Sequence, residues 1–263
     1  MTGDIHIICG DSRRLLKQMP SGFVDCAIVD PPYGQTSLEW DRWVDGWPAE
    51  VARVLKPWGS LWCFGTLRSF MEHAAEFSDW KMSHDIIWEK HNGAGFFNDR
   101  FRTVHEIVAH FYKPAMKWRD IYKKPQYTND ARARTVRRKE RPAHLTGARG
   151  PSNYVSVDGG PRLQRSVIYA RSEHGRAEHP TQKPEEIIEP LLLYSCPPGG
   201  IVLDPFGGAG TTALVAQKHG RKAVLFELNP DYCEMAKRRC GLIPVLHPPT
   251  PLQGYGGTRE AAE

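Results

Sequence analysis

The sequence predicts an α/β fold of about seven mainly parallel strands, with helices on both faces and an inserted irregular region. Short runs rich in β-branched residues alternate with helical patterns over the first ninety residues and again after about residue 185, which is typical of parallel sheets. Between 91 and 178 this alternation gives way to Gly, Asn, Arg and Pro, over a stretch too long for a simple loop. The 263 residues are enough for one large core.

Five segments of the first half alternate between strand and helix patterns. They are the strand IHIIC (5–9), the helix SRRLLKQM (12–19), the strand VDCAIV (24–29), a helix near Trp47 to Lys56, and the strand SLWCFG (60–65). Pro57 ends the second helix, because proline lacks an N–H group and clashes with the preceding turn. Within the irregular region, EIVAHFY (106–112) has the pattern of one further strand.

The second half returns to the same alternation. Its elements are a helix from about Glu185, the strand GIVLD (200–204), a glycine-rich loop, a helix from Thr211, the strand KAVLFE (222–227) and a helix near Pro230 to Cys240. We therefore predict one domain made of residues 1–90 and 179–240, with 91–178 inserted and 241–263 forming a frayed tail.

Composition indicates an ordinary globular protein. The first residues lack the basic start and apolar stretch of a signal peptide, and no apolar run reaches the roughly 18 residues needed to span a bilayer. We therefore expect a cytoplasmic protein. The six cysteines form no CxxC pair, so we expect reduced thiols in the core, with neither disulfides nor a metal site.

The positive charge of the chain is concentrated in one segment. Between Lys113 and Pro142 there are eleven Lys or Arg against three Asp or Glu, a balance of +8 in a chain whose total formal charge is +5. Such a run is often only a solvated face. The aromatic residues within it, Trp118, Tyr122 and Tyr127, favour instead a surface that binds nucleic acid.

A glycine loop, LDPFGGAGTT (203–212), follows a strand and opens a helix, where backbone amides can approach a ligand. Glu227 ends the next strand, 19 residues beyond Gly208, and an acid at this place commonly binds ribose hydroxyls. The loop lacks the lysine of an ATP-binding GxxxxGK[ST] motif. The alternative is a helix start that needs glycine only for close packing, but the pairing with Glu227 favours a cofactor site.

The stretch DPPYG (30–34) directly follows the apolar strand VDCAIV. Side chains at the carboxyl end of a parallel strand project into the crevice where open α/β sheets bind ligands. The two prolines hold the backbone extended and rigid. A simple turn is the alternative interpretation. An aromatic residue immediately after a rigid, acidic strand end has few structural uses, so we favour a binding function.

Three further motifs accompany these two in a fixed order. GDSRRLLKQMPSGFVD leads into the strand VDCAIV, WEKHNGAGFFNDRFRTVHEIV (88–108) follows that strand, and HPTQKP (179–184) precedes the strand GIVLD. On these five motifs the chain resembles the β-class amino-methyltransferases of DNA, which transfer a methyl group from S-adenosylmethionine to an exocyclic base nitrogen. The resemblance covers about residues 4–240 and implies a Rossmann-like fold dependent on S-adenosylmethionine.

The resemblance implies a mechanism for DPPY. An exocyclic base amine is a poor nucleophile, because its lone pair is delocalised into the ring. The Asp30 carboxylate and the Pro31 carbonyl would accept its two N–H hydrogens and direct the lone pair towards the methyl group, Pro32 would stiffen the motif and Tyr33 would stack on the base. The target base must then be flipped out of the duplex.

The resemblance also implies a set of cofactor-binding residues. Asp11 would accept a hydrogen bond from the cofactor adenine, Glu227 would bind the ribose, and Thr181 and Lys183 would lie near the methionine end. The full set is Asp11, Thr181, Lys183, Asp204, Phe206, Gly208, Gly210, Thr211 and Glu227. Asp11 has the alternative interpretation of a helix N-cap, and Lys183 that of a solvated charge.

HEIVAH (105–110) is similar to the zinc motif HExxH, but its histidines are five residues apart and it reads as a strand. We expect no metal ligand there. His105 and Glu106 instead match a strand of the resembled family, with structural support of the base pocket as the implied role.

The predicted product is N6-methyladenine in double-stranded DNA. Cytosine N4 is the alternative target, although that subfamily often has Ser in place of Asp30. A non-catalytic nucleic-acid-binding protein, or a methyltransferase of RNA or protein amines, are further alternatives. The predicted DNA-binding residues are Lys123, Lys124, Arg132, Arg134, Arg137, Arg138 and Lys139. The resemblance implies a bacterial or phage-encoded homodimer. The sequence contains no nuclease motif and does not indicate whether a restriction endonuclease partner exists.

Overall fold

The computed structural model describes residues 4–34, 36, 38–94, 98–138, 152–173 and 181–243. In chain order its strands are β1 (Ile5–Cys9), β2 (Val24–Val29), β3 (Leu55–Gly65), β4 (Lys81–Ala94), β5 (Thr103–Tyr112), β6 (Tyr127–Thr128), β7 (Arg134–Arg138), β8 (Ser152–Ser156), β9 (Arg162–Leu163), β10 (Val167–Tyr169), β11 (Ile201–Asp204) and β12 (Lys222–Glu227). Its α-helices are α1 (Ser12–Gln18), α2 (Trp47–Val54), α3 (Leu67–Glu72), α4 (Glu185–Ser195), α5 (Thr211–Lys218) and α6 (Pro230–Arg239).

Eight strands form the main sheet, in the order β1-β12-β11-β2-β3-β5-β4-β10. The first five of these run parallel, β5 is antiparallel to both of its neighbours, and β10 is parallel to β4. Because β2 and β11 are adjacent and parallel, the segments that follow them leave the sheet at the same edge. DPPYG and the glycine loop therefore lie close together, as expected for the ligand crevice of an open α/β sheet.

Helices cover both faces of the sheet and define two hydrophobic cores. Alternate residues of β2 enter opposite cores, since successive side chains of a strand point to opposite faces. Cys26 and Ile28 pack with apolar residues of α4, α5 and α6. Ala27 and Val29 pack with Leu16 of α1 and with residues of α2. A strand buried on both faces explains the apolar run of residues 26–29 that precedes DPPYG.

The structure differs from the predicted elements at several boundaries. The main sheet has eight strands rather than about seven, because β4 and β10 join its antiparallel side. β4 has too many polar residues to show a strand pattern. The second helix ends at Val54 rather than at the predicted boundary before Pro57, and β3 begins at Leu55. Pro57 lies within β3, where the register of β2 with β3 shifts between Val24 and Cys26.

Parts of the predicted insertion 91–178 belong to the main sheet, since β5 and β10 fall within it. Between them the chain forms two small antiparallel sheets, β6 with β9 and β7 with β8. HEIVAH lies in β5 as predicted. His110 is buried, its Nδ1 lies 2.6 Å from Ser83 Oγ, and burial lowers its pKa to about 3.

All six cysteines are free thiols, five of them buried and Cys9 exposed. Within the part of the chain that the structure describes, no helix combines the length and the apolar character that a membrane crossing requires.

Candidate active site

A cleft of about 880 Å³ opens at the carboxyl edge of the parallel strands, a size that suits a small organic ligand. It brings together residues that are far apart in the sequence. Of the residues predicted to be catalytic or cofactor-binding, those that line the cleft are Asp11, Asp30, Pro31, Pro32, Tyr33, Thr181, Lys183, Asp204, Phe206, Gly208, Thr211 and Glu227. Gly210 is the one residue of these two predicted groups that does not line the cleft.

Asp30 leaves the buried strand β2 and enters the cleft with its two oxygens in different environments. Oδ2 accepts a hydrogen bond from Lys183 Nζ at 2.5 Å. Oδ1 is buried and has no hydrogen-bond partner among the described residues. A buried acceptor without a donor is unfavourable unless a ligand supplies one. Oδ1 therefore marks a point in the cleft where a donor group of a ligand is expected.

The pair of Asp30 and Lys183 carries shifted pKa values. Burial raises the pKa of Asp30 above its ordinary value, and the Lys183 ammonium offsets only part of this effect. Burial alone would lower the pKa of Lys183, but the carboxylates of Asp30 and Glu106 raise it. Lys183 therefore remains an ammonium. The solvated-charge interpretation of Lys183 is wrong, because its side chain is buried and contacts the DPPYG motif directly.

Tyr33 is a neutral side chain on a backbone that Asp41 holds in place. Burial, followed by the nearby carboxylates of Glu106 and Asp30, raises the pKa of Tyr33 well above its ordinary value, so the side chain stays a neutral phenol. Asp41 Oδ1 accepts hydrogen bonds from the backbone N–H groups of Tyr33 and Gly34, both at 2.9 Å. The rigidity expected from the two prolines is thus reinforced by a side chain.

Asp41 is a residue that the sequence analysis missed. Its Oδ2 accepts from the backbone N–H of Thr36 at 2.7 Å and from Thr36 Oγ1 at 2.8 Å. Against the effect of burial, the hydrogen bonds from Thr36, Gly34 and Tyr33 lower the pKa of Asp41 and keep it ionised. A single acid in an irregular loop gives no sequence signal, because its four donors are defined only by the folded loop.

The glycine loop follows β11, and the side chain of Asp204 hydrogen-bonds to residues near both ends of the loop. This buried carboxylate accepts from Phe206 N at 3.1 Å and from Thr212 Oγ1 at 2.7 Å, and burial raises its pKa to about 7. Gly210 has a φ of 77°, and a Cβ added to it would lie 2.8 Å from the Cβ of Ala236. Gly210 thus serves the close approach of α5 to α6, which is the packing interpretation.

Glu227 joins the glycine loop to the end of β12. Its Oε2 accepts from Gly208 N and its Oε1 from Asn229 N, each at 2.8 Å. Burial raises the pKa of Glu227. Each carboxylate oxygen has a second lone pair, so acceptor capacity towards the cleft remains. The spacing that singled out Glu227 in the sequence therefore corresponds to a direct contact with Gly208.

Asp11 has both of the properties considered for it. It is the N-cap of α1, where it accepts from Arg13 N at 2.8 Å, and it lines the cleft. The side-chain hydrogen bond from Arg13 lowers the pKa of Asp11, which stays ionised. The Arg13 side chain also donates to both carboxylate oxygens, so a ligand amine at Asp11 would share these acceptors with Arg13.

The predicted DNA-binding residues lie in two kinds of environment. Lys123 Nζ donates to the carbonyls of Trp118 and Ile121, at 2.7 and 3.1 Å, so its ammonium is bound to its own backbone. The exposed residues of the set are Lys124, Arg132, Arg134 and Arg137. Arg138 belongs to β7, while its side chain and the whole of Lys139 lie outside the described residues.

Two more charged residues of the cleft were not predicted to be functional. Glu106 of β5 lies with its Oε2 3.5 Å from Lys183 Nζ, and its Oε1 accepts from Lys90 Nζ at 2.5 Å. The resemblance implied only structural support for Glu106, and Lys90 was not considered. Their partner Lys183 is far away in the sequence, so no local pattern reveals the contact.

Together these features define an α/β protein with a ligand cleft in which an acidic DPPY segment meets a glycine loop. A family described as DNA methylase, covering N6 and N4 methyltransferases, matches residues 24–238. The chain is 30% identical over 254 residues to the DNA adenine methyltransferase YhdJ of Escherichia coli K12, with 89% of this chain and 81% of the relative aligned. It is 28% identical over 261 residues to the type II methyltransferase M.HinfI of Haemophilus influenzae, covering 89% and 67%. The chain belongs to the N6/N4 DNA methylase family.

Solved structures agree with this assignment at the level of the fold. The complex of M1.HpyAVI with SAM has a TM-score of 0.61 at 24% identity, covering 89% of this chain and 99% of the other. The cytosine-N4-specific PvuII DNA methyltransferase has a TM-score of 0.62 at 17% identity, covering 91% and 87%. The predicted Rossmann-like fold is confirmed.

Proposed function

We propose that the protein transfers a methyl group from S-adenosylmethionine to the exocyclic N6 of adenine in double-stranded DNA. The observation that carries the proposal is Asp30 Oδ1, a buried carboxylate oxygen in the cleft with no donor among the described residues. An amino group of a base would supply that donor. The relatives YhdJ and M.HinfI, of which the first is named an adenine methyltransferase, support the same conclusion.

The lining of the cleft suits S-adenosylmethionine. Asp11 and Glu227 offer acceptors for its amine and hydroxyl groups, at the ends of the adjacent strands β1 and β12. The ring of Phe206, which meets Trp47 edge-on at 5.9 Å between centroids, gives an apolar wall beside them. When bound, this cofactor supplies an electrophilic methyl group on a positively charged sulfur.

In the proposed mechanism the DPPY segment prepares the base amine. Asp30 Oδ1 and the Pro31 carbonyl accept its two N–H hydrogens, which draws the nitrogen away from planarity and localises its lone pair. The new N–C bond forms as the S–CH₃ bond of the cofactor breaks and leaves a neutral thioether, while the negative Asp30 stabilises the positive charge that develops on nitrogen. The surplus proton of the methylated amine passes to Asp30 Oδ1, which already accepts its hydrogen bond, and from there to water. Tyr33, held by Asp41, stacks on the base. The base is flipped out of the duplex to reach this position.

Adenine is favoured over cytosine by two observations. The first residue of the motif is Asp30, whereas cytosine-N4 enzymes often have Ser there. The relative of 30% identity is named an adenine methyltransferase. The likeness to the cytosine-specific PvuII enzyme, at 17% identity, concerns the fold alone.

Analysis of the methylated nucleoside tests the proposal. Double-stranded DNA incubated with the purified protein and S-adenosylmethionine is digested, and its nucleosides are separated by mass spectrometry. We expect N6-methyldeoxyadenosine only when protein and cofactor are both present. If N4-methyldeoxycytidine appears instead, the substrate is cytosine rather than adenine, and the proposed role of Asp30 and the Pro31 carbonyl in binding the base amine still holds. A product in RNA alone, or no product in any nucleic acid, would contradict the proposal.

We further propose that the strand pair β7–β8 belongs to the DNA-binding surface. Its exposed residues include Arg134 and Arg137, together with Tyr154, which is 52% exposed. A two-stranded ribbon of this kind fits the major groove of DNA. The recognition region would then lie between β5 and β10, within the predicted range 91–178. We also propose that the protein is a homodimer, as the resemblance implies. Sedimentation equilibrium measures its oligomeric state.

Replacing Arg134 and Arg137 together with glutamine should weaken DNA binding chiefly at low salt. The slope of log K against log salt should fall by about 0.9 for every phosphate that is no longer neutralised, so the double variant should show a slope smaller by about 1.8. Fluorescence anisotropy over a range of salt concentrations measures the slope. A matched variant changes Lys17 and Lys218, exposed lysines of α1 and α5, to glutamine and should keep the wild-type slope. Equal slopes for all three proteins would indicate that the arginines form only a solvated face.

A further inference from the structure

Four charged side chains of alternating sign run from the DPPY segment across the cleft; we call them the charge network. Asp30 Oδ2 lies 2.5 Å from Lys183 Nζ, Lys183 Nζ lies 3.5 Å from Glu106 Oε2, and Glu106 Oε1 lies 2.5 Å from Lys90 Nζ. The residues come from the end of β2, from β4, from β5 and from the segment before α4. The folded sheet therefore assembles the network from four separate parts of the chain.

The charge network is largely removed from water. The exposed fractions of the Lys183, Glu106, Lys90 and Asp30 side chains are 9%, 12%, 16% and 22%. The ring of Trp88 covers both ammonium groups, 5.0 Å from Lys90 Nζ and 5.8 Å from Lys183 Nζ. A buried charge is tolerated when an opposite charge compensates it. Removing an inner member would leave its neighbour partly uncompensated and free to reorient.

The network leaves one acceptor of Asp30 for a ligand. Lys183 binds Oδ2 and prevents the carboxylate from turning, while Oδ1 has no partner among the described residues. Glu106 Oε2 is also buried without a hydrogen bond, but it has the Lys183 ammonium at 3.5 Å, whereas nothing among the described residues donates to Asp30 Oδ1. An unsatisfied buried acceptor destabilises the fold unless a ligand supplies the donor. The arrangement keeps one oxygen available in the cleft.

We propose that Glu106 and Lys90 are positioning residues for methyl transfer, which act by holding Lys183 against Asp30 so that Oδ1 alone faces the base amine. This inference rests on the proposed function. Neither residue needs to contact the base or the cofactor. Glu106 orients the ammonium of Lys183, and Lys90 orients Glu106.

The charge network predicts shifts of opposite sign in the pKa of Asp30. The charged or titratable groups that face Asp30 are Lys183, Glu106, Lys90, Tyr33, Cys63 and Asp204. Neutralising the negative Glu106 removes repulsion from the Asp30 carboxylate, so its pKa should fall. Neutralising the positive Lys90 removes attraction, so its pKa should rise. A charge within about 4–6 Å of a carboxyl group shifts its pKa by about one unit or more.

The test compares Glu106→Gln and Lys90→Gln with the control Glu89→Gln, whose side chain is exposed on β4. Carbon-13 NMR of labelled aspartate carboxyl groups gives the pKa of Asp30 in the free protein, and Asp30→Asn assigns the resonance. We expect a decrease of about one unit for Glu106→Gln, a smaller increase for Lys90→Gln and no change for Glu89→Gln. The acid limb of the single-turnover rate on DNA should move in the same directions. The positioning role also implies a lower single-turnover rate for Glu106→Gln. Glu106→Asp, which keeps the negative charge, should recover part of that lost rate.

The outcomes separate this inference from the proposed function. If all variants keep the wild-type pKa of Asp30 and the wild-type rate profile, the inference is overturned even when the protein methylates adenine. If the opposite shifts appear but no nucleic acid is methylated, the proposed function fails and the charge network stands. If Glu106→Gln does not fold, the shift of Lys90→Gln decides alone, and the absence of an increase would overturn the inference.

Discussion

Asp30→Ala is expected to lower the single-turnover rate of methyl transfer by roughly 1,000-fold while the affinity for S-adenosylmethionine stays within a few-fold. Loss of one positioned group that stabilises developing charge typically reduces a rate by about 100- to 1,000-fold. Asp30 also orients the amine before reaction. The fold should survive, because Lys183 keeps Glu106 as a partner at 3.5 Å once the Asp30 carboxylate is gone. Calorimetry with the cofactor and a rapid-quench assay with DNA measure the two quantities.

The isosteric variant Asp30→Asn makes the prediction sharper. Its amide oxygen would turn towards the Lys183 ammonium, which leaves the NH₂ group where Oδ1 now lies. A donor would then face the amine of the base, so Asp30→Asn should be as inactive as the alanine variant despite its wild-type shape. Asp79→Asn, at an exposed position, should keep full activity. Near-normal turnover in either Asp30 variant would contradict the mechanism in which Asp30 binds and orients the base amine.

The parallel half of the sheet was readable from the sequence because its pattern is local. The strand VDCAIV, for example, is apolar throughout most of its length, and the structure gives it the same bounds, Val24–Val29. The antiparallel side was not readable in the same way. Lys81–Ala94 contains many polar residues, and its pairing with Thr103–Tyr112 is set by tertiary contacts rather than by periodicity. This difference explains why β4 and β10 were missed.

The candidate site was predictable to the extent that its residues follow strands. Asp30, Asp204 and Glu227 each stand at or just beyond the end of a parallel strand, and such ends share one edge of the sheet. Glu106 and Asp41 are different. Glu106 comes from β5 and meets Asp30 and its partner Lys183 only in the folded sheet, and Asp41 depends on the folded loop that its own hydrogen bonds shape. No spacing in the sequence carries these contacts.

Gly210 shows how a correct motif can contain a residue with another role. The left-handed backbone and the close approach of Ala236 both require glycine there, yet the residue does not line the cleft. The motif specifies the path of the loop, and only some of its members face the ligand. Glu227 completes that path, because it accepts the backbone N–H of Gly208.

Glu227→Gln should reverse the pattern expected for Asp30, with a loss mainly in cofactor affinity. A hydrogen bond from a ribose hydroxyl to a carboxylate contributes about 1.5 to 3 kcal/mol, which corresponds to roughly tenfold to a hundredfold weaker binding. The amide retains one acceptor for Gly208 N or Asn229 N but not for both, so the loop should also be less well held. Calorimetric titration with S-adenosylmethionine measures the affinity.

The rate of methyl transfer at saturating cofactor distinguishes a role of Glu227 in binding the ribose from a role in holding the glycine loop. If Glu227 binds the ribose and does not contact the base, turnover of Glu227→Gln should return to within a few-fold of wild type once the cleft is filled. Glu234→Gln, at an exposed position of α6, should change neither quantity. An unchanged affinity for Glu227→Gln would place the ribose elsewhere in the cleft. A low rate that saturation does not restore would instead show that Glu227 acts through the glycine loop on the geometry of methyl transfer.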